Sequence, residues 1–342
     1  MGGEGWRGNR TLQPPCGHAA VRQVVMVYWA HGQADQGHAR PRGSMSCLAV
    51  VILNYNRADL LADCLASLYA APTRCTLQVW VVDNASRDGS AAMVRAQFPQ
   101  VRLIVSPVNG GFSCGNNLAL RELLAAGQAD DVLLLNNDTL VPAGALDGLV
   151  AYLETHPEAG VVGPKLLLPD GTLDLACRRS FPTPEVSFYR MTGLAQRFPH
   201  SPRFARYNLT YLDPDQTAEV DAVVGACMLV RAAVIAEVGL LDEQFFMYGE
   251  DLDWCYRIKQ YGWRVIYYPH VVVHHYKRAA STRRAIPSLR AFYAAMRIFH
   301  RKHYAATTLP PLNTLIELGI TAKELLALGR NLLLPPAARR VG

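Results

Sequence analysis

Between Leu48 and Thr155 the sequence repeats one arrangement, a short unbroken apolar run followed by a stretch of helical period. An apolar run without polar alternation describes a strand buried on both faces, as in a parallel sheet. Strands are expected at Leu48–Asn54, Leu77–Val82, Val101–Val105 and Val132–Leu135. Helices are expected at Arg57–Ala70, Asp88–Phe98, Gly111–Gly127 and Ala143–Thr155. Strands alternating with helices in this way specify a doubly wound α/β sheet.

Three of the runs stop at polar clusters: Asn54-Tyr55-Asn56, Asp83-Asn84 and Asn136-Asn137-Asp138. Open α/β sheets bind ligands just beyond the carboxyl ends of their strands. The clusters therefore converge on one crevice, which says more than any of them alone. Each also has a structural reading, because Asn and Asp favour turns and helix caps. A carboxylate at a strand end suits a hard divalent cation, and such a cation suits a diphosphate. Asp83 is suited to accept hydrogen bonds from a nucleobase or ribose. Asn109 to Asn117 is a Gly/Asn-rich approach into a helix. There Gly111 permits close backbone approach to a ligand, and the helix N-terminus favours phosphate; the alternative is a tight loop.

The second half is less regular. Val161–Leu168, Leu173–Ala176, Val220–Val230, Trp263–Tyr268 and Val271–Val273 read as strands, Glu250–Tyr261 and Pro287–Tyr304 as helices, and 181–217 as a long variable loop region. Glu250, Asp251 and Asp253 crowd a predicted helix start. The helix dipole favours acids there, and one of them is also a candidate general base. Asp253 precedes Arg257 by one helical turn and is expected to pair with it. His274 and His275 follow the last strand, and either is a candidate metal ligand.

Charge and cysteine usage narrow the function classes. The net charge is +6, but residues 277–342 hold an excess of ten positive charges while 1–276 is slightly acidic. A basic segment of this kind fits a polyanionic surface, either nucleic acid or an anionic membrane leaflet. No recognised nucleic-acid module accompanies it. The eight cysteines form no CxxC pair, so neither a zinc knuckle nor a thioredoxin-like site is indicated. Their scatter suits small buried hydrophobes in a reducing compartment. No apolar run reaches the ~18 residues a spanning helix needs, so a multi-span membrane protein is excluded. Residues 1–44 show no sustained period and read as a disordered extension or as sequence ahead of a true start at Met45.

Taken in order, Val50–Asn56, Val82–Ser86, Asn109–Phe112, Leu135–Asp138 and Gly239–Trp254 resemble glycosyltransferase family 2, in its bacterial rhamnosyltransferase-like branch. His274–Arg278 through His300–Tyr304 fits the same branch, and the resemblance covers residues 48–305. It implies an α/β, GT-A-type nucleotide-sugar-binding fold with a mostly parallel central sheet and a C-terminal helical tail. The catalytic domain would span 45–280, with a nucleotide-binding half at 45–140 and an acceptor half at 141–280, and the tail would span 281–342. Asn54, Asn56, Asp83, Asn84, Gly111, Asn117, Asn136 and Asn137 would bind the donor. Asp138 and His274, with His275 as the fallback, would hold Mg²⁺ or Mn²⁺. Asp251, in the motif Glu250-Asp251, would be the catalytic base. The motif departs from DxD in having Asn136 in place of the first Asp.

The implied activity is inverting transfer of a sugar from a nucleotide donor. Rhamnose from dTDP-rhamnose would pass to a hydroxyl of a saccharide or polyprenyl-linked acceptor in envelope polysaccharide synthesis. Two other readings compete. A sugar-nucleotide nucleotidyltransferase would carry a Gly-rich, basic phosphate loop after its first strand, and Asn54-Tyr55-Asn56-Arg57 is not one. A nucleotide-sugar-binding pseudoenzyme is the reading that Asn136 motivates. In the tail, Asn313, Glu317, Glu324 and Asn331 share one side of a helix, opposite Leu312, Leu315, Ile316, Leu326, Leu333 and Leu334. Lys323 and Arg330 fall within the apolar side, where long cationic side chains snorkel. Such a helix either lies on an anionic inner leaflet, making the protein cytoplasmic and peripheral to the membrane, or docks on its own domain or a dimer partner.

Overall fold

The computed structural model describes residues 45–277 and 285–334. Strands β1 (Cys47–Asn54), β2 (Thr76–Asn84), β3 (Arg102–Ser106) and β4 (Asp131–Asn136) run parallel in the order β3-β2-β1-β4. Leu48 to Ile52 are at most 1% exposed. Leu48, Val50, Val51 and Ile52 each contribute ~1.5–3 kcal/mol by that burial. The connecting helices are α1 (Ala58–Tyr69), α2 (Ser90–Gln97) and α3 (Gly111–Ala126), followed after β4 by α4 (Ala145–Thr155). In α1 the buried residues are Leu61, Cys64, Leu65 and Leu68, the spacing that puts one helical stripe on the sheet. The register sets Asn54 opposite Asp83 and Leu53 opposite Asn136, so the three polar clusters emerge along one edge.

Beyond β4 the sheet changes direction. β5 is Thr139–Leu140, β6 Ala159–Leu167, β7 Ala218–Glu219, β8 Cys227–Arg231 and β9 Arg264–His275. β8 is antiparallel to both neighbours, β4 and β6, while β9 runs parallel to β6 and pairs antiparallel with β5 and β7. The nine-stranded order is β3-β2-β1-β4-β8-β6-β9-β5, with β7 beside β9. The parallel ladders hold most of the pairing, as the sequence predicts.

Several second-half expectations change. Leu173–Ala176 is not a strand. Leu173 makes a single bridge to Leu167, and Asp174 then caps a 3₁₀ turn at Leu175–Cys177 by accepting the Ala176 N–H. The strand expected at Val220–Val230 reduces to β8, because Gly225 and its neighbours turn into the site. Trp263–Tyr268 and Val271–Val273 are one strand with a bulge beside Pro269, where the register jumps from Tyr268 to Val272. Proline has no N–H for the ladder, so a bulge there is expected. The variable loop contains α5 (Pro184–Thr192), begun by a Thr183 cap, and α6 (Leu194–Arg197); α7 (Ala232–Val238) follows β8 directly. α8 is Glu250–Gln260.

The described tail residues form two helices, α9 (Ala285–His303) and α10 (Pro310–Leu333). Leu289, Tyr293 and Ile320 are buried together, with Ile316 packed against them rather than on the outer side. Arg297 donates to Glu324 (2.7 Å) and Arg301 to Glu317 (2.7 Å). The polar stripe of α10 therefore faces the protein. Leu315, Leu318, Leu325, Leu326 and Leu333 are each at least 60% exposed. Among the described residues no helix is long and apolar enough to cross a membrane. The expectations for residues 1–44, 278–284 and 335–342 lie outside the described residues.

Candidate active site

Side chains at the strand ends are cross-linked. Asn54 donates to Ser86 Oγ (3.3 Å) and, at the limit of a hydrogen bond, to Asp83 Oδ2 (3.5 Å). Its own Oδ1 accepts from Asn137 Nδ2 (2.6 Å). Asp83 Oδ1 accepts the Ser86 N–H (2.9 Å), and Asn56 Oδ1 accepts the Arg87 N–H (2.7 Å). One polar net thus joins the ends of β1, β2 and β4. Asp83 keeps an oxygen that only the long Asn54 contact engages.

Asp138 and His275 meet at the far side of this net. The β5–β9 register pairs Thr139 with His275, and His275 Nε2 lies 3.3 Å from Asp138 Oδ1. Its other nitrogen, Nδ1, contacts Asp174 Oδ2 at 3.0 Å, and Lys277 donates to Asp174 Oδ1 (2.6 Å). Burial pulls the imidazole pKa down, but its bonds to Asp138 and Asp174 outweigh that and raise it to about 9. Burial also opposes the charge on Asp174. Its partners His275, Lys277 and the Ala176 N–H nevertheless hold it well below the usual carboxylate range. His274 is exposed and pairs across the ladder with Leu140. Neighbours along a strand point to opposite faces. The histidine beside Asp138 is therefore His275, the fallback in the sequence reading, and not His274.

The donor chemistry of this cluster fits a divalent cation. Asp138 supplies a carboxylate oxygen and His275 an imidazole nitrogen, while Asp174 acts as the outer carboxylate that orients such a histidine. Among the described residues no group of three or more His, Cys, Asp or Glu is arranged to hold an ion. Asp138 and His275 offer two ligands, so an ion here would draw the rest from outside the protein.

The second carboxylate group lies at the start of α8. Tyr248 and Gly249 both have positive φ (72° and 81°), and this left-handed pair turns the chain into the helix. Asp251 Oδ2 accepts from Arg179 Nη2 (2.7 Å) and the Gly225 N–H (3.1 Å), and its Oδ1 accepts the Leu252 N–H (2.7 Å). Arg179 also donates to Val223 O (2.9 Å). Burial works against its charge, but Asp251 more than compensates and raises its pKa above the ordinary arginine value. Asp253 has a structural role. It binds Arg257 (2.9 Å), as expected, and also Lys302 (2.7 Å) and His303 (2.8 Å) from α9. Glu250 is buried, and among the described residues its Oε2 has no hydrogen-bond partner.

Asp251 and Asn136 are joined through adjacent residues. The Gly225 N–H donates to Asp251, and the next carbonyl, Ala226 O, accepts the Asn136 N–H (2.9 Å). Asp251 is thereby held beside the segment that carries Asp138.

Three expected donor-binding residues serve the frame instead. Asn84 donates to Asn109 Oδ1 and Gly111 O and accepts the Gly110 N–H. Asn117 donates to Leu241 O (2.8 Å) and accepts its N–H (3.2 Å). At the N-terminus of α3, Gly110, Gly111 and Phe112 give their N–H groups to Asn84, Asn109 and Phe246 O. Those donors are taken, so the expected phosphate seat is capped by protein. Gly111 (φ 82°) is needed because a Cβ there would lie 2.2 Å from Phe246 O. Sequence reasoning missed Asp174, Arg179 and Lys277. The one available signal was Arg178-Arg179, a charged pair next to a buried cysteine.

Comparison with known proteins agrees with this architecture. Residues 45–294 match the profile of Glycosyltransferase like family 2, well over half of the chain. The chain belongs to that family. It is 29% identical over 300 residues to the N-acetylglucosaminyl-diphospho-decaprenol L-rhamnosyltransferase of Mycobacterium tuberculosis, covering 86% of this chain and 94% of the relative. Rhamnosyltransferase WbbL of Escherichia coli is 26% identical over 238 residues, 66% of this chain and 82% of that one. Among solved structures, the mannosyltransferase PcManGT of Pyrobaculum calidifontis, in complex with GDP-Man and Mn²⁺, superposes with a TM-score of 0.51 at 20% identity. It covers 93% of this chain and 81% of its own. GalNAc-T7, with UDP, GalNAc and Mn²⁺, gives a TM-score of 0.54 at 14% identity, covering 86% and 59%. These likenesses establish the GT-A fold.

Proposed function

We propose that this glycosyltransferase moves rhamnose from dTDP-rhamnose, with inversion, onto a hydroxyl of a polyprenyl-linked saccharide. One observation carries the reading: an arginine-pinned carboxylate, Asp251, and Asn136, two residues before Asp138 of the Asp–His pair, are tied to consecutive residues, Gly225 and Ala226. That is the layout a direct displacement needs. Asp251, paired with Arg179, removes the acceptor proton. The acceptor oxygen attacks the anomeric carbon while the nucleoside diphosphate departs from the opposite face. Asp138 and His275 would hold Mg²⁺ or Mn²⁺, which when bound neutralises the leaving diphosphate. Asp83 and the Asn54–Asn137 net would receive the nucleoside, and positioning with charge stabilisation would supply most of the rate. The choice of rhamnose and of a polyprenyl-linked acceptor rests on the near full-length match to the mycobacterial rhamnosyltransferase.

The outward leucines of α10, within a segment bearing ten excess positive charges, favour peripheral binding to an anionic inner leaflet, where such an acceptor resides. The test is a melting panel with UDP, dTDP and GDP, each with Mn²⁺ or EDTA, followed by transfer to N-acetylglucosaminyl diphosphate on a short polyprenyl chain. A ligand that binds only the folded state raises the melting point. Stabilisation by dTDP with Mn²⁺, lost in EDTA and in Asp138→Ala, is expected. Stabilisation by UDP or GDP alone would replace the donor, and none by any nucleotide would end the transferase reading.

A further inference from the structure

We propose that Glu250 and Asp251 divide the acceptor chemistry: Asp251 takes the proton, and Glu250 offers its unpartnered Oε2 to a second hydroxyl of the acceptor saccharide. This inference rests on the transferase reading above. The contrast within one helical turn motivates it. Asp251 already accepts three hydrogen bonds, and Asp253 is saturated by Arg257, Lys302 and His303. Glu250 is only 6% exposed, yet among the described residues its Oε2 has no hydrogen-bond partner. A buried polar atom left unmade is costly, and native structures keep few of them without a use.

The surroundings favour a sugar hydroxyl. The groups that act on Glu250 electrostatically are Asp251, Arg179 and Tyr248. Burial first, and then the Asp251 charge, raise its pKa to about 8. A carboxyl that keeps its proton near neutrality donates to a hydroxyl oxygen and makes a poor base, whereas Asp251 is the carboxylate that Arg179 pairs with. The preceding segment leaves Phe246 49% exposed, an apolar face of the kind a sugar ring lies against.

The experiment uses the full chain, dTDP-rhamnose, and N-acetylglucosaminyl diphosphate on a short polyprenyl chain. Glu250→Gln preserves shape and hydrogen bonding, and is expected to keep kcat/KM within about threefold of the parent. Glu250→Leu is expected to raise acceptor KM, and acceptor Kd by calorimetry, at least about tenfold, with donor KM unchanged. Its melting temperature should equal or exceed the parent's, since an unpartnered buried polar atom is removed. Three results would overturn the proposal: Glu250→Gln as inactive as Asp251→Asn, an unchanged acceptor Kd in Glu250→Leu, or no acceptor binding by the parent protein. Failure of the transferase reading is distinguishable: the parent would bind the acceptor, with the tenfold loss in Glu250→Leu intact, yet transfer no sugar from any nucleotide donor.

Discussion

The two sides of the crevice treat their carboxylates in opposite ways. On the strand side the acids beside the last strand are paired: Asp138 Oδ1 with His275, and both oxygens of Asp174 with His275, Lys277 and a backbone N–H. On the helix side Asp251 is pinned while Glu250 is left with an idle oxygen. The strand side is preorganised for a fixed ionic partner. The helix side keeps hydrogen-bonding capacity in reserve, which suits a partner that arrives, reacts and leaves.

The sharpest way to break this contrast is to remove the pinned charge. Asp251→Asn should lower kcat by about 10²–10⁴-fold, while stabilisation by dTDP and Mn²⁺ stays intact. Equal loss of nucleotide binding would show that the two sides are not separable. Gly111→Ala should cost about 2–4 kcal/mol in urea unfolding, because the new Cβ must displace Phe246 O from a left-handed backbone position. Asp174→Asn should weaken Mn²⁺ binding about 10–100-fold by calorimetry, since an outer carboxylate orients His275. An unchanged affinity would leave Asp174 as a mere cap for its 3₁₀ turn.

The smallest effect concerns pH. Glu250 releases its proton near 4.5 when unfolded but near 8 in the folded state. The unfolded chain therefore binds fewer protons between those values, and the parent loses stability as pH rises through the window. Glu250→Gln escapes this loss, so its melting-temperature advantage should grow by about a few degrees between pH 5 and pH 8.5. A constant difference would mean that Glu250 ionises normally.

The first half of the fold was legible because both of its signals are local. Buried parallel strands need unbroken apolar runs, and Leu48–Ile52 or Val132–Leu135 can be little else. Asp138 and Asp251 were also readable, each as an acid at an element boundary. What the sequence hid was long-range register. His275 faces Asp138 because of the β5–β9 pairing, and two adjacent histidines look alike until that register is known. Arg179 meets Asp251 across 72 residues of chain, a distance no local pattern encodes. Asn84 and Asn117 have the residue type of ligand contacts, yet their partners are loop backbones brought near only by folding. The tail inverts the usual expectation that leucines turn inward, because α9 presents arginines to the Glu317–Glu324 stripe.

The peptides of Gly225 and Ala226 work as a ruler of fixed length. One end holds Asp251 and the other holds Asn136, two residues before Asp138. Inserting or deleting a single residue there would change the gap between the two chemistries by a whole peptide. Among the described residues, the hydrogen bonds of 181–217 reach neither Asp251 nor Asp138. Length variation in this chain should therefore accumulate in 181–217 and stop at Gly225.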